Sequence, residues 1–139
     1  MPSFITDREA PVPTNEKAIL VVDDASLVRI YYRSIFEAAG FRVEEALNGL
    51  EALEKLLIAP VDMLVVDVNM PRMDGFTFLD ALRKKDLPLS SIPALVTSTE
   101  SGPKDFDAAR IAGANFYLVK PIDRETLVEF AEMICGIRK

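Results

Sequence analysis

The sequence predicts an α/β domain in which helices cover both faces of a five-stranded parallel sheet. Short apolar runs rich in branched residues alternate five times with segments whose apolar residues recur every three or four positions. The connections between these segments are short, and strands that alternate with helices in this way form doubly wound parallel sheets. We find no internal repeat and expect a single domain.

Composition excludes several classes of protein. The 139 residues are 50% apolar, enough for one core, and 16 basic against 22 acidic residues give a net charge of −6, which disfavours nucleic-acid binding. Histidine is absent, so a His-based catalytic triad is excluded and a zinc site is disfavoured. The one cysteine, Cys135, cannot form an internal disulfide, and no segment has the pattern of a membrane span or a signal peptide. We therefore expect a cytoplasmic protein with no membrane contact.

Residues 1–16 differ from the rest of the chain. They contain Pro2, Pro11 and Pro13 among mixed charges and show no apolar periodicity. We interpret them as a flexible N-terminal extension, and we expect the folded domain over residues 17–139.

The first strand and helix come next. Ala18–Val22 is a continuous apolar run, and Ser26 can cap a helix that ends at Gly40. The positions of this helix that we expect to be buried are Leu27, Ile30, Tyr31, Ile35 and Ala38.

The second strand is expected at Phe41–Ala46, where weak alternation suits a position near the sheet edge. Asn48-Gly49 separates it from a second helix, which ends before Pro60. The apolar positions that mark this helix are Leu50, Leu53 and Leu57.

The third strand, Met63–Val66, is a short apolar run that we expect to be buried on both faces. Met70-Pro71 then turns the chain away, because proline cannot continue the ladder. Asp74 is expected to cap the next helix, whose apolar positions are Phe76, Leu79 and Leu82.

Two more strands and helices complete the chain. A polar loop, Lys84–Ser91, precedes a strand at Pro93–Val96, and Gly113 closes a helix at Lys104–Ala112. The fifth strand is Phe116–Val119. The last helix is capped by Asp123 and has its apolar positions at Leu127, Phe130, Ile134 and Ile137.

Polar side chains stand where the apolar strands end. They are Asp23 and Asp24 after the first strand, Asp67 after the third, Thr97 and Ser98 after the fourth, and Lys120 after the fifth. Because the carboxyl ends of parallel strands share one edge of a sheet, we expect these residues to converge on one pocket. Each alone has an ordinary interpretation as a helix cap, a turn residue or a solvated lysine, but their shared position favours a functional site.

The chemistry of this set indicates metal and phosphate. Three neighbouring carboxylates repel one another unless a cation lies among them, and Mg²⁺ prefers such oxygen ligands. A backbone carbonyl such as that of Asn69 can add a ligand. Lys120 and the Thr97 hydroxyl can neutralise phosphoryl oxygens, and a carboxylate can attack phosphorus to form an aspartyl phosphate.

Together these motifs resemble the receiver domain of bacterial response regulators. The residues that carry the resemblance are Asp23-Asp24, Asp67 with Met70-Pro71-Arg72-Met73-Asp74-Gly75, Thr97-Ser98 and Lys120-Pro121. It covers about residues 17–139 and implies a flavodoxin-like, CheY-like (βα)5 fold with strand order 2-1-3-4-5.

The resemblance implies a role for each site residue. Asp67 would be the phosphoacceptor, and Mg²⁺, for which Mn²⁺ can substitute, would be held by Asp23, Asp24, Asp67 and Asn69. The residues that would contact the phosphoryl group are Thr97, Ser98 and Lys120, and the Lys120–Pro121 bond is expected to be cis. Thr97 and Tyr117 would form the conformational switch, while Asn69 and Thr99 would tune dephosphorylation.

The expected partners follow from the resemblance and from the lack of histidine. A histidine kinase or histidine phosphotransfer protein would donate the phosphoryl group and dock near the first helix, where Tyr31, Tyr32 and Ile35 offer more apolar surface than one face can bury. We expect output by protein contact, at the face of Tyr117 and the last helix. The chain would catalyse its own phosphorylation and slow dephosphorylation without being a turnover enzyme.

Two alternatives remain open. Phosphatases of the haloacid dehalogenase class also place a nucleophilic Asp after an apolar strand, but Asn69 stands where their general acid would be, and an amide cannot serve as an acid. A pseudo-receiver that binds partners without accepting phosphate is disfavoured by the complete set of acidic, hydroxyl and lysine residues.

Overall fold

The computed structural model describes residues 17–137, so the predicted extension, residues 1–16, lies outside the described residues. The elements in order are β1 (Ala18–Val22), α1 (Ser26–Ala38), β2 (Arg42–Ala46), α2 (Gly49–Ile58), β3 (Met63–Asp67), α3 (Gly75–Arg83), a 3-10 turn (Leu89–Ser91), β4 (Ala94–Ser98), α4 (Pro103–Ala112), β5 (Phe116–Val119) and α5 (Arg124–Cys135). The predicted alternation of strands and helices is confirmed. None of the described helices combines the length and the apolar character that crossing a membrane requires.

The five strands form one parallel sheet in the order β2-β1-β3-β4-β5, which confirms the predicted fold class. β3 lies at the centre, and its last residue, Asp67, pairs in register with Thr97 of β4. Val22, the last residue of β1, pairs with Val66. The strands therefore end level with one another, and the segments that follow them meet at one edge.

The core has two layers, because successive residues of a strand face opposite sides of the sheet. One layer joins alternate strand residues to α2 and α3; its members include Leu20, Val22, Val66, Val96, Phe78 and Leu79. The other joins the intervening residues to α1 and α5; its members include Ile19, Val21, Val65, Leu95, Phe36 and Leu127. The side chains of Asp23, Asp67 and Thr97 continue the second series, so they belong to the α1 side of the sheet.

The predicted buried face of α1 is wrong at most positions. Leu27 and Ile30 are 78% and 59% exposed, and Tyr31 and Ala38 are also exposed. Of the predicted set only Ile35 is buried, and the other buried residues are Tyr32 and Phe36. The helix carries two apolar stripes, and the one with Phe36, whose ring packs on Phe41 at 6.2 Å, faces the sheet because it buries more aromatic surface.

The predicted cap of α1 is also wrong. The capping position is Ala25, and the Ser26 side chain makes no capping hydrogen bond. The turn is held instead by Asp23, whose Oδ1 accepts the Ala25 N–H at 2.9 Å.

Helix α2 buries a different face from the predicted one. Leu50 and Leu57 are exposed and Leu53 is half-buried, whereas Gly49, Ala52 and Leu56 are buried. Small residues face inward because α3 is close: a Cβ on Gly49 would lie 2.7 Å from the Cβ of Phe78.

The later elements follow the prediction with small shifts. Asp74 and Asp123 cap α3 and α5 by accepting the N–H groups of Thr77 and Thr126, both at 2.8 Å. Strand β4 begins at Ala94, because Pro93 has no N–H to donate, although its carbonyl accepts the Leu64 N–H at 2.8 Å. Helix α5 ends at Cys135, so Ile137 packs on the core from beyond the helix.

Candidate functional site

The loop that follows β1 and the last residue of β3 bring an acidic cluster together. Each of Asp23, Asp24 and Asp67 places a carboxylate oxygen within 4.8 Å of the others. Asp23 and Asp67 are buried, while Asp24 is exposed. Burial raises the pKa of the Asp67 carboxyl, and the neighbouring charge of Asp23 adds to this effect. A divalent cation would relieve this repulsion, so the donor set fits a hard metal ion.

Lys120, which follows β5, pairs with two carboxylates of the cluster. Its Nζ lies 3.2 Å from Asp23 Oδ2 and 3.1 Å from Asp67 Oδ1. Burial acts to lower the pKa of Lys120, but the two carboxylates outweigh it and the net shift is upward. The side chain therefore remains an ammonium ion. The Lys120–Pro121 peptide bond is cis.

Arg29, which the sequence analysis did not single out, anchors the loop that carries the acidic pair. Its Nη1 donates to the Asp23 carbonyl at 2.6 Å, and its Nε donates to Glu45 Oε1 at 2.8 Å. Hydrogen bonds to the guanidinium groups of Arg33 and Arg29 lower the pKa of Glu45, although its burial opposes them. The sequence held one signal for this contact: Arg29 and Arg33 are four positions apart on α1, so both can pair with Glu45 of β2.

The two hydroxyl residues at the end of β4 behave differently. Thr97 is buried on the side of the acidic cluster, and its hydroxyl donates to the Val66 carbonyl at 3.5 Å. Ser98 follows on the opposite face, and its hydroxyl accepts the Glu100 N–H at 3.0 Å. The structure therefore aims the Thr97 hydroxyl at the cluster's side of the sheet, whereas the Ser98 hydroxyl stabilises a turn.

The remaining predicted residues lie at the rim or beyond it. Asn69 and Thr99 are exposed on the loops after β3 and β4. Tyr117 lies on the other face of the sheet, where its hydroxyl donates to the Glu100 carbonyl at 2.8 Å and its ring packs edge-on against Phe106 at 4.8 Å. Tyr117 is thus connected to the loop after Thr97 rather than to the acidic cluster.

Gly75 brings the start of α3 against the strand end. Its N–H donates to the Val68 carbonyl at 2.9 Å, and a Cβ at this position would lie 2.4 Å from the backbone oxygen of Asp67. Such an approach is possible only without a side chain.

We expect Gly75→Ala to lower the free energy of unfolding by about 1–3 kcal/mol, because the added carbon must displace the Asp67 backbone. Urea denaturation measures this loss. Gly102→Ala is the matched control, since its Cβ would meet only a side-chain oxygen of Asp105 at 3.1 Å. Equal losses in the two variants would contradict the close approach at Asp67.

Comparisons with known proteins agree with the fold. Residues 19–132 match the family model described as the response regulator receiver domain. The chemotaxis response regulator CheY4 of Vibrio cholerae superposes with a TM-score of 0.79 at 35% identity, over 86% of this chain and 99% of that one.

Two curated relatives are much longer than this chain. The CAI-1 autoinducer sensor kinase/phosphatase CqsS of Vibrio cholerae is 29% identical over 82% of this chain and 17% of its own length. A protein-glutamate methylesterase/protein-glutamine glutaminase of Anaeromyxobacter dehalogenans is 44% identical over 61% of this chain and 23% of its own length. The chain spans about a fifth of each. With the family match over most of its length, the chain belongs to the response regulator receiver domains of two-component signalling and has their CheY-like fold.

Proposed function

We propose that this receiver domain accepts a phosphoryl group on Asp67 in a two-component phosphorelay. The observation that carries the proposal is the position of Asp67. Its carboxylate is buried and contacts the Lys120 ammonium at 3.1 Å. One of its oxygens also lies within 4.8 Å of carboxylate oxygens of Asp23 and of the exposed Asp24. A nucleophilic carboxylate between a cation and a metal-ligand set is the arrangement that phosphoryl transfer requires.

The acidic cluster is the proposed metal site. Asp23, Asp24 and Asp67 would supply carboxylate oxygens and Asn69 its carbonyl, with Mg²⁺ as the ion and Mn²⁺ as a substitute. Bound there, the ion supplies positive charge opposite the developing charge of the phosphoryl oxygens. The raised pKa of the Asp67 carboxyl supports this assignment, because a cation bound beside it would offset its burial and the neighbouring charge of Asp23.

The chain's own residues account for the transfer. An oxygen of Asp67 forms the bond to phosphorus while the donor's bond to phosphorus breaks and the electron pair leaves with the donor. The Lys120 ammonium and the Thr97 hydroxyl would hold the phosphoryl oxygens, whereas the predicted phosphoryl contact of Ser98 is not part of this proposal because its hydroxyl accepts the Glu100 N–H on the opposite face. Asn69 and Thr99, exposed beside the site, would control the approach of water and so the lifetime of the phosphoryl group. The domain acts on itself and is not a turnover enzyme.

The proposed switch links Thr97 to Tyr117. When Thr97 turns its hydroxyl toward the phosphoryl group, the loop after β4 moves with it, and this loop holds Tyr117 through the Glu100 carbonyl. Tyr117 would then leave Glu100 and turn inward, which changes the surface formed by α4, β5 and α5. A local charge would thus shift a two-state equilibrium that a downstream protein reads.

The proposed phosphodonor is a histidine kinase or a histidine phosphotransfer protein. The chain has no histidine, so the phosphohistidine must come from a partner. Leu27, Ile30 and Tyr31 form an exposed apolar strip on α1, and we propose that the partner docks there. This corrects the predicted docking residues, since Tyr32 and Ile35 are buried. We place this pathway in the cytoplasm.

Amide NMR tests the proposed function. Addition of Mg²⁺ should shift the resonances of Asp24, Asp67 and Asn69, and subsequent addition of beryllofluoride, which mimics a phosphoryl group on a carboxylate, should shift those of Thr97, Thr99 and Tyr117. Metal shifts without the second set would contradict the switch. No response to either reagent would contradict the phosphoacceptor assignment and favour a pseudo-receiver.

A further inference from the structure

Arg29 connects the acidic cluster to an edge strand of the sheet. The residue lies in the first turn of α1, and its side chain is only 12% exposed. Two of its nitrogens donate to different elements: Nη1 to the Asp23 carbonyl at 2.6 Å, and Nε to Glu45 Oε1 of β2 at 2.8 Å. The guanidinium group therefore bridges β2 and the loop that follows β1.

The backbone of Asp23 is held on both sides of its Cα atom. Its N–H donates to the carbonyl of Ala46, the last residue of β2, at 3.1 Å, and its carbonyl accepts from Arg29. Because these two groups belong to the planar peptide units on either side of Cα, holding both sets the direction in which the side chain leaves the backbone. The carboxylate is then oriented by its Oδ1, which accepts the Ala25 N–H at 2.9 Å.

The effect of Arg29 on metal binding has two parts of opposite sign. As a positive charge, the guanidinium repels a cation in the acidic cluster. As a hydrogen-bond donor, it holds Asp23 so that its carboxylate faces the other two carboxylates of the cluster. The network around the guanidinium consists of two arginines and two glutamates and has no net charge; its members are Arg29, Arg33, Glu37 and Glu45. We therefore expect the effect on position to exceed the effect of charge.

We propose that Arg29 is a positioning residue for the metal site, holding the Asp23 carboxylate in the arrangement that binds a divalent cation. The proposal rests on the proposed function, in which Asp23 is a ligand of Mg²⁺. Groups that hydrogen-bond to metal ligands typically raise metal affinity by about 10- to 100-fold. Without Arg29, the Asp23 carbonyl loses its contact with the sheet edge, and the carboxylate is free to take other directions.

Arg29→Met removes the guanidinium and keeps an unbranched side chain. We expect this variant to bind Mg²⁺ about tenfold more weakly than the unmodified chain, measured by isothermal titration with the metal alone. Arg33→Met is the matched control, because it removes the same charge from the same network. Arg33 donates to Glu45 at 2.6 Å and to Glu37 at 2.7 Å, so we expect its loss to change the Mg²⁺ affinity by less than about twofold.

A second variant separates position from charge. Arg29→Lys keeps the positive charge, but its single ammonium nitrogen replaces two separated donors and cannot reproduce the fork that joins Asp23 to Glu45. It should weaken Mg²⁺ binding in the same direction, and it keeps the test available if Arg29→Met does not fold. Urea denaturation in EDTA measures the stability of each variant. A merely structural role would lower this stability and leave the Mg²⁺ affinity of the folded chain unchanged.

Three results would overturn the proposal. Equal Mg²⁺ dissociation constants for the unmodified chain and the Arg29 variants would leave the residue a structural role alone, and tighter binding by Arg29→Met would show that charge repulsion prevails. An equal loss in Arg33→Met would assign the effect to the ion-pair network rather than to the Asp23 carbonyl. In all three the unmodified chain still binds Mg²⁺, so the proposed metal site stands. Failure of the unmodified chain to bind Mg²⁺ would overturn both proposals together.

Discussion

Asp67→Asn should abolish stable phosphorylation by a small phosphodonor or by a kinase. The amide that replaces the carboxylate cannot form an acyl phosphate. Within the described cluster Lys120 also contacts Asp23, which we propose as a metal ligand and not as the acceptor. Intact-protein mass spectrometry measures the added phosphoryl group, and its release by hydroxylamine identifies an acyl phosphate. Asp107→Asn, an exposed substitution on α4, is the control for loss of one negative charge. A hydroxylamine-sensitive phosphoryl group that forms on Asp67→Asn at the normal rate would show that the acceptor is elsewhere.

The same variant should be more stable than the unmodified chain at neutral pH without metal. The pKa of Asp67 is higher in the folded state than its ordinary value, so the folded chain binds more protons and loses stability as pH rises through this range. The substituted amide has no proton to lose, and the variant's advantage should therefore shrink as pH falls toward 3.8, the ordinary value. Urea denaturation in EDTA at neutral and acid pH measures the difference. An advantage that does not change with pH would contradict the raised pKa of Asp67, which its burial and then the charge of Asp23 cause.

Lys120→Met should separate metal binding from the switch. The ammonium group lies within 3.2 Å of Asp23 and 3.1 Å of Asp67, so it competes with a cation for the same oxygens. Its removal should strengthen Mg²⁺ binding by about tenfold, since two like charges in one site repel. Phosphorylation or beryllofluoride should then no longer move Tyr117, because the contact that orients the phosphoryl group is gone.

Two measurements decide this prediction. Isothermal titration with Mg²⁺ gives the affinity, and amide shifts at Tyr117 report the switch. Lys84→Met is the matched control, since Lys84 pairs with Asp80 in an exposed position on the α3 side of the molecule. Normal movement of Tyr117 in Lys120→Met would remove Lys120 from the switch, and unchanged Mg²⁺ affinity would contradict the competition.

Local pattern was sufficient for the class of fold and for the edge of the sheet at which the site residues lie, whereas the strand order was expected from the resemblance to receiver domains. A buried strand can be predicted from about five or six consecutive residues. The alternation of such runs with segments of helical spacing is compatible with few arrangements of strands and helices. Because parallel strands end at one edge, the residues after β1, β3, β4 and β5 had to meet, and the structure brings Asp23, Asp67 and Lys120 into contact there. Predicting which residues lie at that edge therefore required no knowledge of tertiary packing.

Predicting which face of each helix packs on the sheet did require knowledge of tertiary packing. α1 offers one stripe through Leu27, Ile30 and Tyr31 and another through Tyr32 and Phe36, and helical periodicity alone does not say which one faces the sheet. The choice depends on Phe41, which lies just beyond the end of α1, and on α5, which is distant along the chain. The choice also decides which apolar residues of α1 remain exposed: Leu27, Ile30 and Tyr31.

Short stretches of sequence thus determined the class of fold, the acidic cluster and its lysine, since each depends on where a strand ends. Particular contacts between neighbouring elements and loops were decided only by the tertiary structure. Arg83 of α3 donates to the Gly113 carbonyl at the end of α4, Gly75 approaches the Asp67 backbone, and Arg29 holds the Asp23 carbonyl. Such contacts depend on the distance and rotation between packed elements, and these are set by the whole core rather than by any one segment.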